Sequence, residues 1–289
     1  MAVGSIDRRV ISIIIPAFNA ASTIEAQLEA LSRQHHTVDC EIVVADNGST
    51  DDTRARVARW SERLPLRVAD ASARPGPAAA RNLGVEASTG DLLLFVDADD
   101  VVLPGWLAAW AEHDGSIDAG GGPVVFFSGD DPPDDPRGVA SGLPVHMGYL
   151  PYALGANLGV RRACFETVGG FPEERDTAED VVLSWRLQRA GVSLRYVPSA
   201  VVAKRRAPTS RDTVRQYYRY GRSDPYLYRE FRTAGLAHAP IGATLKSYLG
   251  IVARLPLLFD DAQRSRWSAQ AGRRAGRLAG SVRAHTFYP

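Results

Sequence analysis

The chain has 289 residues, 45% hydrophobic and 23% charged, a globular composition long enough for one large domain or two smaller ones. Two cysteines, Cys40 and Cys164, exclude a disulfide framework and lie in apolar sequence that predicts reduced core residues. The net charge of +1 gives no reason to expect a nucleic-acid partner, yet it conceals an asymmetry: residues 1–203 carry 17 Lys/Arg against 28 Asp/Glu, whereas residues 204–289 carry 17 against 5. Met1 to Arg9 lacks the apolar run of a secretory signal, so a cytoplasmic chain is expected.

Val10 to Ile15 is a β-branched run that predicts a strand buried on both faces. It ends at Pro16-Ala17-Phe18-Asn19, where proline stops the ladder and the chain turns. Phe18 there either offers an apolar face to a planar base or packs in the core. Ser22 to Gln34 carries Ile24, Leu28 and Leu31 at helical spacing. Glu41 to Ala45 is a second strand, closed by Asp46-Asn47-Gly48-Ser49-Thr50-Asp51. Asp46 is positioned to accept a hydrogen bond from a base or ribose; the alternative is an Asx turn with no ligand. Ser49 or Thr50 then caps a polar helix over Asp51 to Arg63. Leu66 to Ala69 is a short strand, and Gly76 to Ala87 an alanine-rich helix whose sole cation is Arg81. A guanidinium in such a helix pairs with a buried carboxylate such as Asp97, binds a phosphate, or is simply a surface residue.

The most informative segment follows. Leu92-Leu93-Leu94-Phe95-Val96 runs straight into Asp97-Ala98-Asp99-Asp100. The apolar run predicts another doubly buried strand, and its acids fall at the carboxyl end, where open α/β sheets hold ligands. Three carboxylates within four positions repel one another unless something positive joins them, which suits a hard divalent cation with a phosphate. The plainer reading is a solvated turn or helix cap.

From Val124 the pattern changes. Val124 to Ser128 is a strand, and Gly129 to Pro151, rich in Asp, Pro and Gly, reads as a long loop. Small residues around Asn157, in Gly155-Ala156-Asn157-Leu158-Gly159, allow close approach of a ligand. Arg161 to Val168 and Glu179 to Ala190 read as helices, the second opened by Thr177-Ala178-Glu179-Asp180. Asp180, Leu183, Leu187 and Ala190 share one stripe of that helix, so Asp180 heads the inward side while Glu179 points elsewhere. A carboxylate at the edge of a buried surface suits a general base; helix capping is the alternative. The helix N-terminus favours its anion and burial opposes it. Arg195 to Val202 is strand-like, interrupted by Pro198. Beyond Lys204 only helical and coil patterns remain, and Leu245 to Phe259 is too short and too broken, by Lys246, Arg254 and Pro256, to span a bilayer. Strand–helix alternation argues an α/β fold with a mostly parallel sheet flanked by helices. The expected domains are 1–203 and a basic, mostly helical region over 204–289.

In this order and spacing, the motifs at Ser12 to Asn19, Val43 to Thr53, Ala80 to Gly84, Phe95 to Asp100, Gly155 to Asn157, Gly169-Gly170-Phe171 and Glu179-Asp180 resemble family 2 glycosyltransferases with the GT-A fold. The resemblance covers roughly residues 10–203, and seven motifs in register make it specific. It reaches further to Tyr217-Tyr218-Arg219-Tyr220-Gly221-Arg222. It implies a Rossmann-like GT-A sheet with a helical C-terminal extension and inverting transfer of a sugar from a nucleoside diphosphate, most often uridine diphosphate. Carried over, Pro16, Phe18 and Asp46 hold the nucleoside, with Asn47 where many relatives have a second Asp. Arg81 and Asp97 lie by the ribose and diphosphate, and Asp99 ligates Mg2+ or Mn2+. Ala98, Asn157, Glu179 and Lys204 also count among the donor-binding residues, and Asp180 is the base. Many relatives carry a His just after the strand ending near Val202. Here the chain reads Lys204-Arg205-Arg206, so Lys204 or Arg205 is expected to touch the diphosphate.

Two other readings compete. A sugar-1-phosphate nucleotidyltransferase has a Gly-rich loop with Arg where this chain has Pro16-Ala17-Phe18-Asn19. A non-catalytic carbohydrate-binding protein on the same fold has no need to keep Asp46, Asp97, Asp99 and Asp180 together. The acceptor stays open between a glycan, a lipid-linked molecule and a small molecule. For the basic region three options stand: packing through Tyr217, Tyr218, Tyr220 and Leu227, peripheral contact with anionic lipid, or a solvated helix.

Overall fold

The computed structural model describes residues 10–35, 38–129, 132–133, 139–175, 177–207, 209–254 and 260–289. The expectation for Met1 to Arg9, part of that for the loop after Gly129, and the end of the Leu245 to Phe259 stretch fall outside the described residues. The chain divides into two compact units. The first comprises Met1–Pro144, Pro151–Glu174 and Glu179–Arg205; the second comprises Val145–Leu150, Arg175–Ala178 and Arg206–Pro289.

The first unit opens with strand β1 (Val10–Ala17), helix α1 (Ile24–Ser32), β2 (Asp39–Asp46), α2 (Thr53–Ala58), β3 (Leu66–Asp70), α3 (Pro77–Glu86) and β4 (Leu92–Phe95). It continues with β5 (Val101–Val102), α4 (Trp106–Glu112), β6 (Ala119–Gly121), β7 (Val124–Phe127), β8 (Leu158–Arg161), α5 (Arg162–Thr167), α6 (Glu179–Arg189), β9 (Leu194–Tyr196) and β10 (Val202–Arg205). The main sheet has the order β3-β2-β1-β4-β8-β6-β9, and β5-β10-β7 form a smaller one. Strands β3, β2, β1 and β4 run parallel, and β8 is antiparallel to both its neighbours.

The continuous apolar runs of β1 and β4 follow from burial on both faces. Ile11, Ile13 and Ile15 pack with Ile24 and Leu28 of α1 and with Trp106 and Trp110 of α4. Ile14, Leu93 and Phe95 pack on the opposite side with Val85, Phe165, Leu183 and Leu187. Helix α3 lies directly on the sheet because residue 84 is glycine: a Cβ there would come within 2.5 Å of Ile14 Cγ2. Ser12, the polar residue inside β1, donates to Glu41 at 2.7 Å and accepts from the Gly90 amide at 2.8 Å, which removes its burial cost.

Three sequence expectations differ in extent. The helix after Asp51 stops at Ala58, because Pro65 must reach β2, where its carbonyl accepts from Ile42 N at 2.9 Å. The strand-like segment over Arg195 to Val202, interrupted at Pro198 as expected, belongs to two strands in two sheets, and only Val202 of that range lies in the second. The span between β4 and β7, undivided in the sequence, holds β5, α4 and β6. Cys40 and Cys164 are free thiols, half-buried.

In the second unit, α7 (Ser210–Phe231) is capped by Thr209, whose hydroxyl accepts from Asp212 N. It is followed by α8 (Ile241–Ala253) and α9 (Asp261–Arg283), the last capped by Asp260 accepting from Gln263 N. Helices α7 and α9 touch backbone to backbone. A Cβ on Gly272, Gly276 or Gly280 would meet the Val214, Tyr218 or Arg222 carbonyl at 2.5, 2.1 or 2.4 Å. Asp224 is buried between the helices, where Arg277 and Arg273 donate to its carboxylate at 2.6 and 3.2 Å and His146 lies 2.9 Å away. Leu227 is buried, Tyr217 and Tyr220 stack edge to face, and Tyr220 is exposed. Among the described residues no helix is long and apolar enough to cross a membrane.

Candidate active site

Because β1, β2 and β4 are parallel neighbours, the loops that leave them emerge at one edge of the sheet. β1 is followed by β2 on one side and β4 on the other, so a crevice opens where the order reverses. Phe18, Asn47, Asp97, Ala98 and Asp99 lie in these loops, and Pro16 and Asp46 stand at the ends of β1 and β2 that lead into them.

The loops after β1 and β2 are laced together. Asn19, with a left-handed φ of 49°, accepts from Thr50 N at 2.8 Å through its side chain and donates from its own amide to Ser49 Oγ at 3.0 Å. This turn pushes Phe18 outward, 61% exposed, with Pro16 partly buried behind it. An exposed aromatic at this rim is not the core residue that its type suggests. Asp46 is buried and accepts from Arg54 Nε at 2.6 Å and Ser49 N at 3.3 Å. Asn47 donates to the Ala71 and Arg74 carbonyls at 2.6 and 2.8 Å and accepts from Gly76 N at 2.7 Å. Its amide therefore braces the start of α3.

The acids after β4 meet two cations. Arg81, 4% exposed, donates from one nitrogen to Asp97 Oδ1 and from the other to Glu179 Oε1, both at 2.7 Å. Lys204 donates to Asp97 Oδ2 at 3.0 Å and to Asp100 Oδ2 at 2.8 Å. The pairing of β10 with β5 brings it there: Ala203 faces Val101, so Lys204 falls beside Asp100. Arg205 points elsewhere, with its side chain on the Gly129 carbonyl and the Phe127 ring and its backbone amide on Asp100. Of the two cations the sequence offered, Lys204 is the one in the cluster.

Asp180 opens α6 beside Arg81. Its Oδ2 accepts from Gly155 N at 2.9 Å and its Oδ1 from Val181 N at 2.8 Å. Residue 155 lies close to both side chains: a Cβ there would make a tight contact of 3.2 Å with Arg81 Nη2 and an ordinary one of 3.5 Å with Asp180 Cβ. Glu179 does not point away, as its helix position suggested: it is buried against Arg81, whose charge draws it in. Asn157 is fully buried, accepting from Trp106 Nε1 at 2.9 Å and donating to the Pro123 and Ala200 carbonyls at 2.9 and 2.7 Å. Both hydrogens of its amide are given and its oxygen accepts once, so in this structure it braces these segments. Ala98 is buried between the acids.

The electrostatics divide the carboxyls. Burial alone would raise Asp97, but Lys204 and Arg81 outweigh it and hold Asp97 well below the usual carboxylate range. Asp99, exposed, is raised by desolvation and by the Asp97 charge. Asp100, fully enclosed, is raised by burial, with Lys204 pulling against it. Burial opposes the charge of Lys204, yet Asp97 and Asp100 keep its ammonium above the ordinary lysine range. Asp180 is pushed up to about 6, first by burial and then by Glu179.

One ligand oxygen from each of Asp97, Asp99 and Asp100 lies within 4.8 Å of the others. Hard oxygen donors in this arrangement fit Mg2+ or Mn2+. Asp97 and Asp100 already pair with cations of the chain, which leaves Asp99 as the most accessible ligand. Asp100 and Arg54 were not singled out as site residues in the sequence. The triple acid was the available signal for Asp100; a lone Arg eight residues after Asp46 carried none.

Residues 12–142 match the family model described as Glycosyl transferase family 2, and residues 142–269 match Glycosyl transferase family group 2. The pre-mycofactocin glycosyltransferase of Mycobacterium tuberculosis is 29% identical over 226 residues, 74% of this chain and 47% of that protein. The chain thus spans about half the length of that curated relative. Among solved structures, the mannosyltransferase PcManGT from Pyrobaculum calidifontis, in complex with GDP-Man and Mn2+, aligns with a TM-score of 0.64 at 22% identity, covering 93% of this chain and 86% of that one. S. aureus TarS 1–349 in complex with UDP-GlcNAc aligns with a TM-score of 0.56 at 19% identity, covering 96% and 93%. At these identities the structural likeness speaks to the fold.

Proposed function

Because the chain belongs to glycosyl transferase family 2, we propose that it moves a sugar from a nucleoside diphosphate to an acceptor hydroxyl, with inversion at the anomeric carbon. The single observation that carries this is the chain of contacts from Lys204 through Asp97 and Arg81 to Glu179, with Asp180 alongside. It sets fixed positive charge and a general-base candidate within one crevice.

Phe18 and Asp46 form the nucleoside end, with Pro16 and Asn47 shaping it. Phe18 is exposed and free to stack on a base, whereas Asp46 must share its carboxylate with Arg54 to reach the nucleoside. A UDP-sugar is the donor in this reading. The two structural neighbours carry different nucleotides, GDP-Man and UDP-GlcNAc, so both bases belong in the test.

Arg81 and Lys204 face the diphosphate end. Asp99, with Asp97 beside it, would hold a divalent cation, Mn2+ or Mg2+, which supplies positive charge to the diphosphate oxygens when bound. Asp180 accepts the acceptor's hydroxyl proton as that oxygen attacks the anomeric carbon and the bond to the diphosphate breaks. The Gly155 and Val181 amides fix the orientation of its carboxylate and leave a lone pair on each oxygen for the proton. A carboxyl near 6 is ionised at neutral pH, yet is more basic than an ordinary aspartate.

The test is release of nucleoside diphosphate from a panel of UDP- and GDP-sugars. Turnover in the wild type, and its loss in Asp180→Asn by about 10²–10⁴-fold with donor binding kept, is the expected result. Consumption of nucleoside triphosphate with a sugar-1-phosphate instead would overturn it.

A further inference from the structure

Lys204 sits inside the acidic cluster, not at its rim. Its ammonium lies 3.0 Å from Asp97 Oδ2 and 2.8 Å from Asp100 Oδ2, two of the three carboxylates close enough to share a metal ion. We propose that Lys204 is a resident counter-cation that competes with a divalent cation for these carboxylates and keeps a binding site for the donor's diphosphate when no metal is bound. This rests on the nucleotide-sugar reading only for its second half.

Three observations carry it. First, the strand holds the lysine in place. β10 pairs with β5 on one side and β7 on the other, and Val202 and Ala203, just before Lys204, are fully buried. Pairing on both sides fixes the Lys204 backbone, so only rotation of its side chain could carry the ammonium away from Asp97 and Asp100.

Second, Asp100 depends on it. Asp100 is buried, with Lys204 on one oxygen and the Arg205 amide on the other. Lys204 is the only ammonium or guanidinium paired with Asp100 among the described residues, so moving it off would strand a buried carboxylate. A dication drawing on Asp97 or Asp100 must therefore displace or repel Lys204, and its affinity is lowered accordingly.

Third, Lys204 keeps donor capacity in reserve. An ammonium has three hydrogens, and the hydrogen bonds found among the described residues use two. The third can be given to a phosphate oxygen. Arg81 also keeps hydrogens unused, two of its five being given to Asp97 and Glu179, but its side chain is more deeply buried than that of Lys204. Asp99, exposed and with no ion pair among the described residues, is the carboxylate most open to a metal.

Two measurements test the two halves separately. Mn2+ binding to the nucleotide-free protein, followed by electron paramagnetic resonance, should be at least about tenfold tighter in Lys204→Met than in the wild type, while Lys204→Arg keeps the wild-type weakness. Equal or weaker binding in Lys204→Met overturns the competition. Calorimetric titration with UDP and GDP should show wild-type affinity within about tenfold with and without EDTA, whereas Lys204→Met should lose more than that in EDTA and regain it with Mn2+. A larger wild-type loss on chelation overturns the diphosphate role. If neither nucleotide binds under any condition, the donor reading and the diphosphate role both fail, and the Mn2+ experiment still decides the competition. Should Lys204→Met not fold, Lys204→Gln replaces it, and the wild-type response to EDTA decides the second half unaided.

Discussion

Arg81 shows how one side chain organises the crevice. Its two nitrogens hold Asp97 and Glu179 at 2.7 Å each, and its guanidinium lies 5.4 Å from the centre of the Phe171 ring. Lysine keeps the charge but not the fork, so Arg81→Lys should break one of the two pairs, that with Glu179 or that with Asp97, which Lys204 still holds. Breaking a buried pair costs about 3–5 kcal/mol, and the partial exposure of Asp97 places Arg81→Lys at the lower end, read as a fall in the urea midpoint. Asp180 makes the second prediction. A base must be ionised to act, so raising its carboxyl to about 6 moves the acid limb of kcat/KM upward from the ordinary aspartate range. The profile should fall below about pH 6; a limb near pH 4 would remove Asp180 as the base. The pairing of Arg81 with Asp97, and the inward stripe behind Asp180, were legible because a lone cation and a lone carboxylate each stood out against an apolar helix. The direction of Glu179 was not, since periodicity places a residue on a face but cannot weigh the pull of a buried guanidinium from another helix. The partners of Asn157 were not legible for a related reason. Small flanking residues mark close approach, and here the approaching groups are the Pro123 and Ala200 carbonyls.

Among the elements, the apolar strands β1, β2 and β4 and the helices α1 and α3 were readable from composition and period. Short strands were not: β5 has two residues and β6 three, below what alternation can signal. Yet β5 decides the site, because its pairing with β10 carries Lys204 to Asp100. In the helical unit, glycines four apart on α9 were visible in the sequence, while the partner they fit was not. Gly276→Leu would drive a side chain into the Tyr218 carbonyl and should cost at least about 1–3 kcal/mol, seen as a lower melting temperature by circular dichroism. Asp224 is held below the usual carboxylate range: burial alone would raise it, but His146, Arg273 and Arg277 prevail. A depressed carboxyl adds stability above its unfolded value, near pH 4, that disappears as pH falls toward the folded one. Asp224→Asn should therefore destabilise the protein at neutral pH and flatten its acid sensitivity between roughly pH 4 and pH 2.

For the whole molecule, the charge asymmetry and the position of the acids at one sheet edge were both legible before any coordinates. An excess of acid over residues 1–203 would repel a diphosphate if it were spread evenly. The fold offsets part of this locally, by setting Arg81 and Lys204 against Asp97, Asp100 and Glu179 at the switch point. What sequence reading lacked at this scale was the partition of the chain. Residues 145–150 and 175–178 belong with the helical unit, and no composition shift marks such short excursions. The claim that this rim holds a nucleoside diphosphate is tested most directly by the melting temperature of the wild-type protein with UDP or GDP at about a hundred times the dissociation constant. Binding to the folded state alone contributes about 2.7 kcal/mol there, which predicts a rise of about 5–10 °C with one of the two nucleotides. An unchanged melting temperature with both, up to millimolar nucleotide and with Mn2+ present, would contradict the account.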